Sequence, residues 1–248
     1  MPKTILITGA SRGIGAATAL LAAKQGYAVA VNYTSNSLAA DEVVRQIRAG
    51  GGQAISVQAN VAIEAQVLAM FEKVDAKFGR LSALVNNAGV VDITARVDEM
   101  SLARLKRIFE INVFGSFLCA REAVKRMSTR YGGEGGAIVN VSSAAARLGS
   151  PGQYVDYAAA KGAIDTFTIG LAKEVAGEGI RVNAVRPGVI ETDIHASGGL
   201  PNRATELAPQ VPMQRAGTAA EVAESILWLL SEKSAYTTGA LLDVAGGR

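Results

Sequence analysis

The sequence predicts an α/β fold of the Rossmann type. One doubly wound domain is expected over residues 1–248, with a seven-stranded parallel sheet and helices on both faces. Three observations carry this expectation. Short β-branched apolar runs alternate with stretches of helical length. The runs are apolar on both faces, as strands covered by helices above and below must be. No linker, repeat or low-complexity tract divides the chain, whose length single α/β domains commonly reach.

Ile5-Leu6-Ile7 reads as the first strand, and residues 14–25 as a helix that Gly26 ends. Residues 29–33 give the second strand. Ser35 or Ser37 is placed to cap a helix running to Ala49, which Gly50-Gly51-Gly52 stops. Residues 54–57 form the third strand, 63–78 a helix, and Leu84-Val85 a short buried fourth strand. One long helix is expected over 102–127. After a glycine-rich loop at 132–136 come a fifth strand (137–141), a helix (158–177) and a sixth strand (181–185) ending at Pro187-Gly188. The last helix covers 219–230 and the seventh strand 241–244. Residues 193–215 lack periodicity and hold Gly198, Gly199, Pro201, Pro209 and Pro212. A structureless loop of that length in a compact domain is usually functional, so it is read as a substrate lid.

Composition removes several classes of function. Hydrophobic residues make up 49% and charged residues 19%, which is too apolar for a disordered chain. The net charge is only +3 and no run of basic residues occurs, so no nucleic-acid partner is expected. The apolar stretch at 16–23 stops at Lys24, short of the ~20 residues a membrane span needs. Met1-Pro2-Lys3-Thr4 leads straight into a strand rather than a signal peptide. Cys119 is the one cysteine, so neither a disulfide framework nor a cysteine zinc site can form. No metal-ligand cluster is legible. A soluble, cytoplasmic protein is expected.

The first strand feeds Thr8-Gly9-Ala10-Ser11-Arg12-Gly13-Ile14-Gly15, where a helix opens. Glycines at 9, 13 and 15 let the backbone turn sharply and approach a pyrophosphate, which the helix N-terminus favours. The spacing is G-x-x-x-G-x-G, not the common G-x-G-x-x-G. A grip on the ribose 2′-hydroxyl of NAD needs a carboxylate at the end of the second strand. Here that end reads Val31-Asn32-Tyr33-Thr34, with no acid. Arg12 offers a guanidinium fork to a 2′-phosphate, with Asn32, Thr34 and Ser35 adding neutral hydrogen bonds. Both points favour NADP, with NADPH preferred over NADH, and Asn32→Asp is expected to shift preference toward NADH.

Tyr157 and Lys161 lie four residues apart on one helix face. Reduction of a carbonyl needs an acid for the developing alkoxide. A free tyrosine, at a pKa of ~10, is too weak an acid near neutrality. A neighbouring ammonium favours the phenolate and lowers that value. Ser142 and Ser143 follow the fifth strand, at the carboxyl edge where parallel sheets bind ligands, so one of these hydroxyls should face the site.

Thr8 to Gly15, Asn86-Asn87-Ala88-Gly89, Asn112, Ser143, Tyr157-x-x-x-Lys161 and Pro187-Gly188 stand in the order and spacing of one family. Across essentially its whole length the chain resembles the classical short-chain dehydrogenases/reductases. Within them it is similar to the group holding 3-oxoacyl-acyl-carrier-protein reductases and glucose 1-dehydrogenases. The resemblance implies Tyr157 as general acid/base. It implies Lys161 as the group that lowers the Tyr157 pKa and binds the nicotinamide ribose. Ser143, not Ser142, becomes the donor to the substrate carbonyl, although its distance of 14 residues from Tyr157 is one more than is common. Asn112 would hold a water linking Lys161 to solvent. For the cofactor the resemblance points to Gly9, Ser11, Arg12, Gly13, Ile14, Gly15, Asn32 and Tyr33. Asn60-Val61 would stand at the adenine, where the family often has Asp-Val. Asn86, Asn87, Ala88 and Gly89 would line the cofactor near the fourth strand, and Pro187, Gly188, Val189 and Thr192 would stand near the nicotinamide.

A small-molecule carbonyl or secondary alcohol is the expected substrate. Val90, Val91, Ala145, Arg147, Tyr154, Val189 and the lid are expected to line its pocket. His195, in the lid, has no orienting partner nearby in sequence and reads as a surface residue or a substrate contact. Cys119 reads as a small buried hydrophobe. Ile108, Ile111, Phe114, Phe167 and Ile169 suggest more apolar helix surface than one sheet can cover, so a homotetramer is expected. Two alternatives stand beside the reductase reading: a sugar 1-dehydrogenase working oxidatively, and a silent nucleotide-binding protein on the same fold.

Overall fold

The computed structural model describes residues 2–192, 194, 198–200 and 202–248. Its centre is a seven-stranded sheet built from β1 (Thr4–Ile7), β2 (Ala28–Tyr33), β3 (Ala54–Gln58), β4 (Leu81–Asn86), β5 (Gly136–Val141), β6 (Ile180–Pro187) and a last strand (Leu241–Val244). All pair in parallel, in the order β3-β2-β1-β4-β5-β6-last. The chain starts in the middle, winds outward to β3, then returns past β1 to lay β4 on its other side. That reversal leaves a crevice at the carboxyl ends of β1 and β4.

Helices seal both faces. On one side α1 (Gly13–Lys24), α2 (Ser37–Ala49) and the last helix (Ala219–Leu230) bury residues such as Ile5, Val29, Val139 and Ile226. On the other, α3 (Glu64–Phe78), α5 (Gly115–Met127) and α7 (Val155–Val175) close over Leu6, Phe71, Leu84 and Ile138. In α2 the inward residues Ala40, Val43, Val44 and Ile47 follow the helical repeat, so one stripe packs and the rest stays wet. Each fully buried aliphatic side chain contributes about 1.5–3 kcal/mol of transfer free energy.

Several boundaries depart from the sequence expectation, each for a local reason. The helix expected over 102–127 is α4 (Leu102–Phe109) and α5 joined by a π-turn at Glu110–Phe114. Inside it, the Asn112 amide donates to the Ile108 carbonyl at 2.9 Å and the Val90 carbonyl at 3.0 Å, and its Oδ1 accepts from Val90 N at 3.1 Å. A side chain has taken the carbonyl that the helix ladder would use, and the backbone widens there. The strand at 84–85 starts earlier, at Leu81. Ser82 breaks the apolar run but donates to the Thr4 carbonyl at 2.9 Å. The cap of α2 is Asn36, accepting from Ala39 N at 3.0 Å, and not Ser35 or Ser37. The helix expected from 158 begins a turn earlier, where Asp156 is held by Arg104.

The described part of 193–215 is not structureless: it holds the helix Arg203–Leu207 and a 3-10 turn at Ala208–Gln210. Val189, Ala204, Val211 and Ala216 bury one another beneath it. The strand pair Ile190–Glu191 and Gly217–Thr218 closes its base. Turns this short, cut by prolines, leave no periodic pattern to read.

Candidate active site

A cavity of about 910 Å³ runs along the carboxyl edge of the sheet, from the turn after β1 to the start of α7. At one end, Gly9 and Gly13 take the left-handed conformation, with φ of 61° and 56°. A Cβ on Gly9 would lie 2.9 Å from the Ala88 Cα, so the turn closes only on glycine. Helix α1 has neither a side-chain cap nor an acid in its first turn. Its orphan N–H groups and positive dipole end therefore face the cavity unmatched, as an anionic pyrophosphate requires. Ser11, Arg12 and Ile14 complete this wall.

Gly15 serves a different purpose from the one expected. It lies off the cavity, and a Cβ there would meet Asn87 Nδ2 at 2.5 Å. That amide donates to the carbonyls of Thr8 at 2.8 Å and Gly9 at 3.0 Å, so Gly15 makes room for the brace that shapes the turn. Thr8 Oγ1 accepts from the backbone N–H groups of Asn87 and Ala88 at 2.9 and 3.0 Å, tying β4 to the same turn.

Asn32 corrects a second expectation. Strand alternation turns it inward, to 1% exposure. Its Oδ1 accepts from Gly9 N at 3.0 Å, while Nδ2 donates to the carbonyls of Val57 at 3.2 Å and Ala59 at 3.0 Å. The amide is spent joining three strand ends, and none of it reaches the cavity. Tyr33, Thr34, Ser35 and Asn36 line the cavity instead, beside the exposed Arg12. Asn32→Asp therefore sets a carboxylate against two carbonyl oxygens. It is expected to cost about 1–3 kcal/mol of stability and to lower Tm by several degrees at unchanged cofactor preference. Thermal unfolding together with the NADPH/NADH ratio checks this; a shifted ratio at unchanged Tm contradicts it. Asn60 lines the cavity after β3, and its Oδ1 accepts from Ala62 N at 3.0 Å. Val61, also lining, packs on Gly115.

The other end gathers polar residues that follow β5 and that lie on the π-turn and α7. Ser142 is buried and its Oγ donates to the Lys161 carbonyl at 3.2 Å, which fixes α7 against the strand. Ser143 lines the cavity, with Oγ accepting from Ala145 N at 3.1 Å. Tyr157 faces it. Burial pushes the phenol up to about 12, with the Ser143 hydroxyl pulling the other way. Lys161, 4% exposed, donates from Nζ to the Val141 carbonyl at 2.7 Å and lies 5.5 Å from the centre of the Tyr157 ring. Burial lowers Lys161 to about 8, and Asp165 acts in the opposite sense. A Cβ on Gly89 would come within 2.8 Å of Asn112 Oδ1 and 3.5 Å of Lys161 Nζ, so this glycine lets β4, the π-turn and α7 converge. Asn112 itself is wholly buried, behind the cavity wall.

Val90, Val91, Ala145, Tyr154 and Val189 line the remaining space as expected, together with Pro187, Gly188 and Thr192. Arg147 does not. It pairs with Asp243 at 3.3 Å and donates to the Arg248 carbonyl at 3.1 Å, outside this cavity. His195 lies outside the described residues. Ile108 is wholly buried within the chain and Ile111 lines the cavity, so neither belongs to the exposed apolar face.

Two features escaped sequence reasoning. Asp156, directly before Tyr157, forms a bidentate ion pair with Arg104 at 2.7 and 3.2 Å, with side chains 1% and 8% exposed. Asp156 Oδ1 also accepts from Tyr157 N at 2.9 Å, so the pair anchors the turn that carries the phenol. An acid adjoining the tyrosine was visible, but its partner lies 52 residues away and no local pattern links them. The second is Arg203, which enters the cavity from the segment read as a loop.

A nucleotide-sized crevice at the switch point of a parallel sheet, ending in a serine, a tyrosine and a lysine, defines a dinucleotide-fold oxidoreductase. The chain belongs to the short-chain dehydrogenase/reductase family. Residues 9–248 match the family described as Enoyl-(Acyl carrier protein) reductase. It is 57% identical over 243 residues to an uncharacterized oxidoreductase, YgfF, of Escherichia coli, covering 98% of both chains. A 3-oxoacyl-[acyl-carrier-protein] reductase of Synechocystis is 42% identical, over 99% of this chain and 96% of that one. Among solved structures, a mutant short-chain dehydrogenase/reductase of Serratia marcescens superposes with a TM-score of 0.91. It is 31% identical and covers 99% of this chain and 97% of its own.

Proposed function

We propose that the protein is an NADPH-dependent reductase of a small carbonyl compound. The observation that carries the reading is the meeting of Ser143, Tyr157 and Lys161 in the cavity that begins at the uncapped end of α1. The glycine turn and α1 fit a pyrophosphate. Arg12, with Tyr33 to Asn36, fits a 2′-phosphate where no carboxylate opposes one. Asn60 and Val61 would hold the adenine, while Asn87, Ala88, Gly89, Pro187, Gly188, Val189 and Thr192 would flank the nicotinamide. A bound nicotinamide dinucleotide supplies the hydride.

The chain's own residues manage the oxygen and the proton. Ser143 donates a hydrogen bond to the substrate carbonyl and concentrates negative charge on its oxygen. Tyr157 delivers its proton to that oxygen as charge builds there. Burial holds this proton on the phenol at neutral pH and so opposes the lowering expected from Lys161, while the hydrogen bond with Ser143 pulls the other way. The Lys161 ammonium then favours the phenolate left behind. Asn112, at the π-turn, orders the path along which the proton is replaced. In the single unit 1–248 the substrate side is bordered by the described part of the segment read as a lid, with Ile194 and Leu207 on the wall.

Lys161 carries its charge below about pH 8 and loses it above. Reductive kcat/KM is therefore flat through neutrality and falls as pH rises through that value. Initial rates across the alkaline range check this, and a profile that stays flat well past it removes the ammonium from the mechanism. The reading as a whole is tested by loss of NADPH absorbance with a panel of oxo acids, aldoses and diketones. No oxidation with any of them would overturn it.

The assembly is proposed to be a homotetramer. Phe114 and Phe117 of the π-turn and α5 are 55% and 46% exposed. Phe117 stacks on Phe167 of α7, with ring centres 3.8 Å apart, and Ile169 is 37% exposed on the same helix. Apolar faces of this kind are covered by symmetric copies. Light scattering at micromolar concentration should give four times the chain mass; a monomer mass contradicts it. Among the described residues no helix is long and apolar enough to cross a membrane. Cys119 is buried and burial pushes its thiol up to about 12, so it stays protonated and unreactive.

A further inference from the structure

The side-chain charges lining the cavity are of one sign. Arg12, Lys161, Arg203 and Arg248 reach it, and no Asp or Glu does among the described residues. Several arginines elsewhere are matched, Arg104 with Asp156, Arg107 with Asp92, Arg186 with Asp165 and Asp243, and Arg215 with Glu221, while Arg48 and Arg181 are spent on backbone carbonyls away from the walls of this cavity. Arg203 has no carboxylate within ion-pair distance among the described residues. Its Nη2 donates to Gln153 Oε1 at 2.5 Å, a neutral acceptor that orients the guanidinium without cancelling its charge. The guanidinium carbon lies 5.2 Å from the centre of the Tyr154 ring, which holds the fork from a second side.

Tyr154 adds an independent sign. Its side chain lines the same cavity and the residue is 5% exposed, yet among the described residues its buried hydroxyl has no hydrogen-bond partner. The hydroxyl lies against Gly198, where a Cβ would come within 3.1 Å of it. A buried donor left without an acceptor is unfavourable, and such a group is retained where an incoming acceptor completes it. Tyr154 precedes Tyr157 by three residues at the mouth of α7. The Tyr154 side chain, with its hydroxyl just behind the wall at Gly198, the Arg203 guanidinium and the Tyr157 phenol thus border one space, whose walls include the apolar Val91, Leu148 and Leu207. In such surroundings a charge-assisted hydrogen bond is stronger than in open water.

We propose that the substrate is a short oxo acid, whose carboxylate is held by Arg203 and Tyr154 while its carbonyl meets Ser143 and Tyr157. The choice of an oxo acid rests on the reductase reading. The carboxylate site itself does not.

The test therefore begins with binding. Short straight-chain monocarboxylates and their methyl esters are titrated by calorimetry into the protein, with and without NADPH. The wild type should bind each acid about one to two decades more tightly than its ester. Arg203→Met should remove most of that difference, and Tyr154→Phe, which keeps the ring, should remove a smaller part. Thermal unfolding of both variants near the wild-type temperature shows that the site, not the fold, has changed. Equal binding of acid and ester by the wild type overturns the proposal, as does an Arg203→Met variant that keeps the full preference. With NADPH oxidation as the readout, the acid-to-ester ratio of kcat/KM should collapse in parallel. Acid-selective binding lost in Arg203→Met, with no oxidation of NADPH by any oxo acid, would sink the reductase reading and leave the carboxylate site standing.

Discussion

Replacing Tyr157 by phenylalanine is expected to lower kcat for carbonyl reduction by about 10²–10⁴-fold, the range that one positioned proton donor supplies. The affinity for NADPH should stay within about threefold, because the lost hydroxyl acts in the transition state and not on the nucleotide. The ring remains, so the packing of the α7 turn and its Arg104–Asp156 anchor are preserved. Stopped-flow turnover and a fluorescence titration of NADPH separate the two effects. A variant keeping a tenth or more of wild-type kcat would show that another group delivers the proton.

The second large effect concerns the cofactor. Wild type should prefer NADPH, and Arg12→Ala should cut the NADPH-to-NADH ratio of kcat/KM by about one to two decades. The exposure of Arg12 draws the effect toward the lower end. Tyr33→Asp should reduce the ratio further. Position 33 alternates outward from the sealed Asn32 and lines the cavity, so a carboxylate there repels a 2′-phosphate and accepts from a free 2′-hydroxyl. A wild type that already favours NADH would show that neither position sets the choice.

Much of this architecture was legible because strand and helix periods are local. The seven strands, the glycine turn after β1 and the positions of Tyr157 and Lys161 all follow from spacing within short windows. What stayed hidden depends on contacts between distant residues. Asn32 read as a nucleotide contact because a sequence does not show that Gly9, Val57 and Ala59 claim its amide. The π-turn at Glu110–Phe114 read as plain helix because the apolar repeat barely changes when one side chain takes over a carbonyl. Arg203 was passed over because its helix is only 5 residues long and lies between proline-interrupted turns. In the same way, Gly15 looked like a phosphate glycine until the Asn87 amide was seen to fill the space above it.

The central claim is that Tyr157, Ser143 and Lys161 protonate a carbonyl oxygen as hydride reaches its carbon. Turnover of oxo acids with NADPH carrying deuterium at the transferred position, followed by mass spectrometry of the products, tests this most directly. The account predicts hydroxy acids with deuterium on the carbinol carbon, formed by wild type and all but absent with Tyr157→Phe. NADPH consumed without deuterium on that carbon, or a Tyr157→Phe variant that labels the product at the wild-type rate, would contradict it.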